Sequence, residues 1–164
     1  MNIPAEDRQT ALGLQKARFL YEFLAPRPIE LSLETGFAYG GSAAHIIAAT
    51  QAPHYVIDPF QETAFENRGE ANLNRLGLAG WLRPIYQPAH LALPNLLQEE
   101  VKLDFALIDG DHKFDSAFVD FYYLDLLVKP LGHIAIDDCR MPSVASLVDW
   151  IRSNKLYYRE LSTG

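Results

Sequence analysis

The sequence predicts a doubly wound α/β fold, with a mostly parallel sheet between two layers of helices. Short apolar runs alternate along the chain with stretches of helical periodicity, which is typical of this class. The apolar runs are unbroken, as expected for parallel strands that are buried on both faces. No repeat or linker interrupts the 164 residues, so we expect one domain over residues 1–164, with a core over about 29–164.

The first element is predicted to be an amphipathic helix over about 6–24. Apolar residues recur there at helical spacing, from Leu12 through Phe19 and Leu20 to Phe23 and Leu24. The following segment 25–28 contains two prolines, which disfavour helix in the residues before them. The helix is therefore expected to end at about residue 24.

Five apolar runs are predicted to form the strands of the sheet. They are residues 29–33, 55–57, 82–86, 105–108 and 133–136. The last run follows a predicted turn at 129–132, and residues 157–161 are a candidate sixth strand. Helices are predicted between the strands and after the last of them, near 42–50, 64–77, 91–99, 114–128 and 142–153.

The composition excludes several classes of protein. Asp and Glu number 21 against 14 Lys and Arg, a net charge of −7, which argues against nonspecific nucleic-acid binding. No apolar run approaches the roughly 20 residues of a membrane span, and the N-terminus lacks a signal-peptide pattern. The single cysteine, Cys139, rules out an intrachain disulfide. We therefore expect a cytoplasmic protein without a membrane or nucleic-acid partner.

A glycine-rich turn, residues 34–42, lies between the first predicted strand and the next helix. Glycine lets the backbone turn tightly and approach a ligand closely, and a helix start offers free N–H groups to an anion. Asp58 ends the second strand about 20 residues further on, where nucleotide-binding folds place a carboxylate on ribose hydroxyls. This pattern favours a nucleotide site over the alternative, a tight turn without a ligand.

The details of the turn argue against a dinucleotide. Ala38 breaks the G-x-G-x-x-G fingerprint, Ser42 replaces the last glycine of the short-chain dehydrogenase pattern, and no tyrosine is followed four residues later by lysine. The carboxylate of Glu34 would repel a pyrophosphate but suits a ligand that carries an amino group. A nicotinamide-dependent dehydrogenase is therefore the weakest alternative.

Carboxylates follow the fourth and fifth predicted strands: Asp109 and Asp111 after one, Asp137 and Asp138 after the other. Both strand ends belong to the same edge of a parallel sheet. If these strands are neighbours, the carboxylates come within reach of one another, and two of them ~4 Å apart repel by about 4 kcal/mol at an effective dielectric near 20. Such a group persists if one member is protonated, if water spreads the charge or if a cation neutralises it. Hard oxygen donors favour Mg²⁺, with Mn²⁺ as a second candidate. The alternative is that Asp111 and Asp138 cap the next helices.

His112 lies three residues after Asp109, at the same predicted edge. An imidazole with an ordinary pKa near 6.5 is suited to accept a proton at neutral pH. A hydroxyl bound to a metal ion is far more acidic than a free one, so the histidine and a metal could together activate a nucleophile. His112 is the candidate catalytic base.

Two segments resemble a known family. Residues 34–42 resemble the first motif of class I S-adenosylmethionine (SAM)-dependent methyltransferases in its E-x-G-x-x-x-G-x-S form. Residues 105–112 with 127–138 resemble the paired IDGDH and DD segments of small-molecule O-methyltransferases. The resemblance covers about 29–153 and implies a Rossmann-like fold with methyl transfer to oxygen.

The resemblance also implies the residues that bind the cofactor. The first motif and its acidic residue would hold the methionine part, Asp58 the ribose, and segment 87–90 the adenine. The residues assigned to SAM on this basis are Glu34, Gly36, Phe37, Gly40, Ser42, Asp58, Ala89, His90 and Asp109.

The metal and the base follow from the same resemblance. Metal-dependent members hold Mg²⁺ through an acid after the fourth strand and an acidic pair after the fifth, here Asp109, Asp137 and Asp138. His112 stands where catechol-type members carry a lysine base and where members that act on antibiotic sugars can carry histidine. The expected acceptor is a small-molecule hydroxyl.

The chain departs from the family in its last strands. The family fold has seven strands, and this sequence offers no candidate for the seventh. An unpaired sheet edge would favour self-association, so a homo-oligomer is expected as one arrangement. The missing strand also leaves open a noncatalytic SAM-binding module or a subunit of a larger assembly.

Overall fold

A computed structural model describes residues 1, 3–4 and 13–161. Its strands are β1 (Ser32–Thr35), β2 (His54–Ile57), β3 (Leu82–Ile85), β4 (Leu103–Ile108) and β5 (Val128–Ile136). Its helices are α1 (Leu14–Leu24), α2 (Gly41–Thr50), α3 (Arg68–Arg75), α4 (Ala89–Gln98), α5 (Phe114–Leu127) and α6 (Pro142–Asn154). A 3₁₀ helix, Ala79–Trp81, precedes β3. Residues 6–12 of the predicted first helix lie outside the described residues.

The strands form one parallel sheet in the order β3-β2-β1-β4-β5. The chain builds outward from β1 to β3 and then returns through α4 to place β4 on the other side of β1. The direction of winding therefore reverses between β1 and β4. In open α/β sheets, ligands bind at this switch point, beyond the carboxyl ends of the strands.

Helices cover both faces of the sheet. On one face α1 and α2 pack against β4 through a buried cluster that includes Leu24, Ile46 and Phe105. On the other face α4, α5 and α6 pack through a larger cluster that contains Leu93, Leu124 and Leu147. The predicted doubly wound, Rossmann-like fold is confirmed. No helix among the described residues is long and apolar enough to span a bilayer.

The predicted turn at 129–132 is wrong, because these residues belong to β5. The register of β5 shifts within this stretch: Leu103 pairs with Val128, but Phe105 pairs with His133. Leu131 has a φ of 69° and its side chain is 98% exposed. The Pro and Gly that predict a turn therefore produce a bulge inside a longer strand.

The candidate sixth strand at 157–161 is also wrong, since these residues have no strand structure. The hydroxyls of Tyr157 and Tyr158 each donate to the carboxylate of Asp125 at 2.8 Å. The ammonium of Lys155 donates to the same carboxylate at 2.7 Å. Polar contacts with α5, together with the ion pair of Glu160 with Arg152 on α6, therefore hold this segment in place of a β ladder.

Candidate active site

A cavity of about 970 Å³ opens at the carboxyl edge of the sheet. This volume is at the upper end of the range for small-molecule and cofactor sites. Most of the predicted site residues line it: Gly36, Phe37, Ser42, Asp58, Ala89, His90, Asp109, His112, Asp137 and Asp138. Glu34 and Gly40 do not line the cavity. The switch point between β1 and β4 therefore carries nearly all of the residues that the sequence singles out.

The turn between β1 and α2 requires glycine at position 36. Gly36 has a φ of +85°, and a Cβ there would lie 2.1 Å from the carbonyl oxygen of Asp109. The turn therefore packs directly against the end of β4, and this contact brings the predicted cofactor loop beside the acidic residues. Ala38 also has a positive φ, 44°, which is unusual for a residue with a Cβ.

Asp58 fixes this turn from the end of β2. Its Oδ2 accepts hydrogen bonds from the amides of Phe37 (3.2 Å) and Ala38 (2.9 Å), and its Oδ1 accepts from the amide of Phe60 (2.8 Å). The buried amide of Gln61 donates to both Asp58 and the carbonyl of Ala38. Asp58 thus lies on the cavity wall, as predicted, and also anchors the turn. No sequence signal indicates the contribution of Gln61.

Glu34 lies beneath the cavity wall. Its side chain is completely buried, and neither carboxylate oxygen has a hydrogen-bond partner among the described residues. The nearest basic atom is Nε2 of His54, 3.6 Å from Oε2. Its role in cofactor binding stays a prediction, and the contact with His54 is one that the sequence does not indicate.

The acidic residues after β4 and β5 come together as predicted. The amide of Asp137 donates to the carbonyl of Ile108 at 2.9 Å, which holds the two strand ends side by side. Ligand atoms of Asp109, His112 and Asp138 all lie within 4.8 Å of one another. Nε2 of His112 is 3.2 Å from Oδ2 of Asp138. The carboxylate oxygens of this set are the ligands that Mg²⁺ prefers, whereas the imidazole of His112 is not.

The sequence leaves helix capping as an alternative role for Asp111 and Asp138, and the structure gives the two residues different contacts. Asp111 accepts hydrogen bonds from the Lys113 ammonium and the Ser116 hydroxyl, both 3.0 Å, at the start of α5. Asp138 instead turns its carboxylate toward the cluster and makes no capping bond to α6. The contacts of Asp111 are to two side chains and to the amide of Lys113 (3.4 Å), which precedes α5, so among the described residues neither aspartate caps a helix.

Lys16 also belongs to this cluster, and the sequence gives no signal of its position there. It projects from α1, and its ammonium lies 2.6 Å from Asp137 Oδ1 and 2.9 Å from Asp138 Oδ1. Burial acts to lower the pKa of Lys16, but the hydrogen bonds and charges of the two aspartates outweigh it and raise the pKa above its usual range. Lys16 therefore carries its positive charge into the acidic cluster.

The environment makes Asp109 hard to ionise. Burial is the main reason, and the charges of Asp137, Glu34 and Asp138 add to it, while Lys16 opposes them; together they raise the pKa of Asp109 to about 8. Without a further cation, the Asp109 carboxyl is thus mostly protonated at neutral pH.

Asp120, on α5, is a second buried acid on the cavity wall and was not predicted. Burial raises its pKa to about 6; the Thr35 hydroxyl opposes the rise and the charge of Asp111 adds to it. A single aspartate within an apolar helix gives no sequence signal of this placement.

Comparison with known proteins agrees with this geometry. The family model of a methyltransferase domain matches residues 33–139, which is well over half of the chain. No curated protein sequence matches the chain.

Solved structures show the same fold at low sequence identity. An O-methyltransferase from Bacillus cereus in complex with SAH superposes with a TM-score of 0.77 and 17% identity, over 93% of this chain and 74% of that one. The O-methyltransferase TomG from Streptomyces achromogenes, in complex with SAM, superposes with a TM-score of 0.77 and 16% identity, over 93% of this chain and 75% of that one. A putative O-methyltransferase from Klebsiella pneumoniae superposes with a TM-score of 0.75 and 16% identity, over 93% of this chain and 72% of that one. On the family match, the chain belongs to the methyltransferase domain family and is a class I SAM-dependent methyltransferase.

Proposed function

We propose that the protein methylates a hydroxyl oxygen of a small molecule, with Mg²⁺ held by the acidic cluster and His112 as the base. The observation that carries this proposal is the position of Asp109, His112 and Asp138, within 4.8 Å of one another and beside the glycine turn. A carboxylate cluster next to a cofactor loop is the arrangement that metal-assisted activation of a hydroxyl needs.

The cofactor would occupy the glycine-turn side of the cavity. The turn at 36–42 and the start of α2 would offer backbone groups to the methionine carboxylate, and Asp58, on the cavity wall, would bind the ribose. Ala89 and His90, at the start of α4, would lie along the adenine. The B. cereus and S. achromogenes structures contain SAH and SAM, which supports SAM as the cofactor here.

The negative charge of this wall suits a sulfonium cofactor. Asp58 and Asp120 line the cavity, Glu34 lies buried behind it, and Asp109, which is mostly protonated without a cation, would add its negative charge only when a cation is bound. A carboxylate in a partly desolvated site attracts the amino group and the sulfonium of SAM, whereas it repels a dinucleotide pyrophosphate. This charge pattern favours SAM over a nicotinamide cofactor.

The chain's own residues would supply position and a proton acceptor. When bound, SAM provides a methyl group on a sulfonium, and Mg²⁺ lowers the pKa of a hydroxyl. Asp109, Asp137 and Asp138 would hold the cation. His112 would take the acceptor's proton on the ring nitrogen that does not face Asp138, and Asp138, 3.2 Å from Nε2, would stabilise the imidazolium that results. The rigid turn would contribute to the rate by holding the cofactor in a fixed orientation toward the acceptor.

The test compares His112→Ala with the unaltered protein, with and without EDTA, on a panel of catechols and hydroxylated sugars. We expect transfer, followed as SAH release, to fall by at least about 100-fold in the variant, and to be lost with EDTA in both proteins. SAM binding by calorimetry should be unchanged in His112→Ala, which separates chemistry from binding.

Turnover that stays at the level of the unaltered, metal-containing protein in both His112→Ala and the chelated enzyme would overturn the roles of the metal and of His112. SAM binding without transfer to any acceptor on the panel would instead favour the noncatalytic alternative.

A further inference from the structure

The acidic cluster contains a positive charge of its own. Among the described residues that line the cavity, Lys16 is the only lysine or arginine. It reaches the cluster from α1, a helix that is more than 100 residues away in sequence from Asp137 and Asp138. Its ammonium contacts both members of the acidic pair that we assign to the metal.

The existing contacts leave few free oxygens on that pair. Oδ1 of Asp138 accepts from Lys16, and Oδ2 of Asp138 faces Nε2 of His112. Oδ1 of Asp137 contacts Lys16 and also accepts from the amide of Asp138 at 2.6 Å. A cation that enters the cluster gains the Asp138 oxygens only by replacing a partner that is already there.

We propose that Lys16 is an internal counter-cation of the acidic cluster, which a divalent cation displaces from Asp137 and Asp138 when it binds. This inference rests on the proposed function, because it assumes that the cluster is the metal site. It goes further in assigning to α1 a residue whose contacts depend on whether the metal is present.

The packing of α1 allows this exchange without movement of the helix. Leu20 and Leu24 fix its second half in the core, whereas the Lys16 side chain is 50% exposed on the first half. A half-exposed lysine can rotate into solvent, where its ammonium is well hydrated. The exchange replaces one positive charge with two at the same carboxylates, so the divalent cation is the stronger partner.

Competition of this kind lowers the apparent affinity for the metal by an amount that can be measured. The two ion pairs of Lys16 are partly exposed, and pairs of this type are individually weak. Their loss is therefore expected to weaken metal binding by about tenfold.

The test uses Mn²⁺ as the probe, with the free ion followed by electron paramagnetic resonance. We expect Lys16→Met to bind Mn²⁺ about tenfold more tightly than the unaltered protein, and Lys16→Arg, which keeps the charge, to bind within about threefold of it. The matched control is Lys129→Met, because Lys129 pairs with Asp104 at 2.8 Å on the opposite edge of the sheet. This control should leave the Mn²⁺ affinity unchanged.

A second measurement does not depend on whether the variants fold. In the unaltered protein, saturating Mg²⁺ should increase reductive methylation of the Lys16 amine by at least about threefold, measured by mass spectrometry, with Lys129 as the internal reference. Equal Mn²⁺ affinity of Lys16→Met and the unaltered protein, or Lys16 labelling that does not respond to Mg²⁺ in a protein that binds it, overturns the inference and leaves the metal site intact. If neither protein binds Mn²⁺, the metal part of the proposed function fails, and the inference fails with it.

Discussion

Nε2 of His54 lies 3.6 Å from Oε2 of Glu34, and both side chains are completely buried between the neighbouring strands β1 and β2. On its other side, Nδ1 of His54 hydrogen-bonds to the hydroxyl of Ser32 at 2.8 Å. A buried carboxylate is unfavourable unless a polar or charged group lies beside it. His54 is the group that the structure provides, so it supports the acid at the start of the cofactor turn.

Replacement of His54 by Leu should therefore destabilise the fold. We expect the free energy of unfolding to fall by about 3 kcal/mol, because Glu34 then has no basic neighbour in the core. Urea denaturation at pH 7 measures it. The matched control, Ser32→Ala, removes the hydrogen bond at Nδ1 of the same imidazole, keeps the contact with Glu34, and should cost only about 1 kcal/mol. Equal losses in the two variants would show that the contact with Glu34 contributes nothing.

Replacement of Gly36 by Ala should disrupt the cofactor turn. The new Cβ would clash with the backbone of Asp109, at a position whose φ already disfavours a side chain. We expect a loss of about 3 kcal/mol or more in stability, together with the loss of SAM binding by calorimetry. Gly77→Ala is the control: Gly77 has a similar φ, +72°, but open space around the Cβ position, so it should cost only about 1 kcal/mol. Similar effects of the two substitutions would contradict the close packing of the turn against β4.

The burial of Asp120 should make stability depend on pH. Because the pKa of Asp120 is raised to about 6 in the folded protein, the native state keeps a proton that the unfolded chain loses above about pH 4. The stability that this bound proton contributes is fully present below about pH 4 and is lost as pH rises to about 6. Above that pH, Asp120 causes no further change in the free energy of unfolding.

The free energy of unfolding should accordingly fall by about 2–3 kcal/mol between pH 4 and pH 6.5, relative to Asp120→Asn. Urea denaturation of both proteins across this range isolates the effect, since all other groups titrate in both. A difference between the two proteins that does not change with pH would show that Asp120 ionises normally.

Replacement of Asp109 by Asn should separate stability from metal binding. Burial and three neighbouring acids favour the protonated form of Asp109, so at pH 7 folding has to protonate a group that is ionised in the unfolded chain, a cost that an amide of the same shape does not have. Without metal at pH 7, we expect the variant to be more stable than the parent by about 1–3 kcal/mol. It should also bind Mn²⁺ at least about tenfold more weakly. Lower stability together with unchanged Mn²⁺ affinity would remove Asp109 from the proposed metal site.

The local sequence predicts the wrong structure for two segments whose conformation depends on contacts that are distant in sequence. Residues 129–132 have the composition of a turn but continue β5 through a bulge, because the ladder with β4 resumes at His133. Residues 157–161 have the β propensity of tyrosine, but the two tyrosine hydroxyls and Lys155 bind Asp125 on α5. In both cases a contact that is distant in sequence outweighed the local preference.

The sequence by itself determined the order of strands and helices along the chain, the glycine turn and the placement of Asp109, Asp137 and Asp138 at strand ends on one edge of the sheet, whereas the pairing of β4 with β5 that groups them was decided by the tertiary structure. The sequence could do so because these features follow from periodicity and from one topological rule: neighbouring parallel strands end at the same edge. The tertiary structure alone decided that Lys16 enters the acidic cluster, that Asp120 is buried on the cavity wall and that His54 supports Glu34. These contacts depend on how the helices dock on the sheet and on which strands pair, and the spacing of residues along one segment carries no information about either.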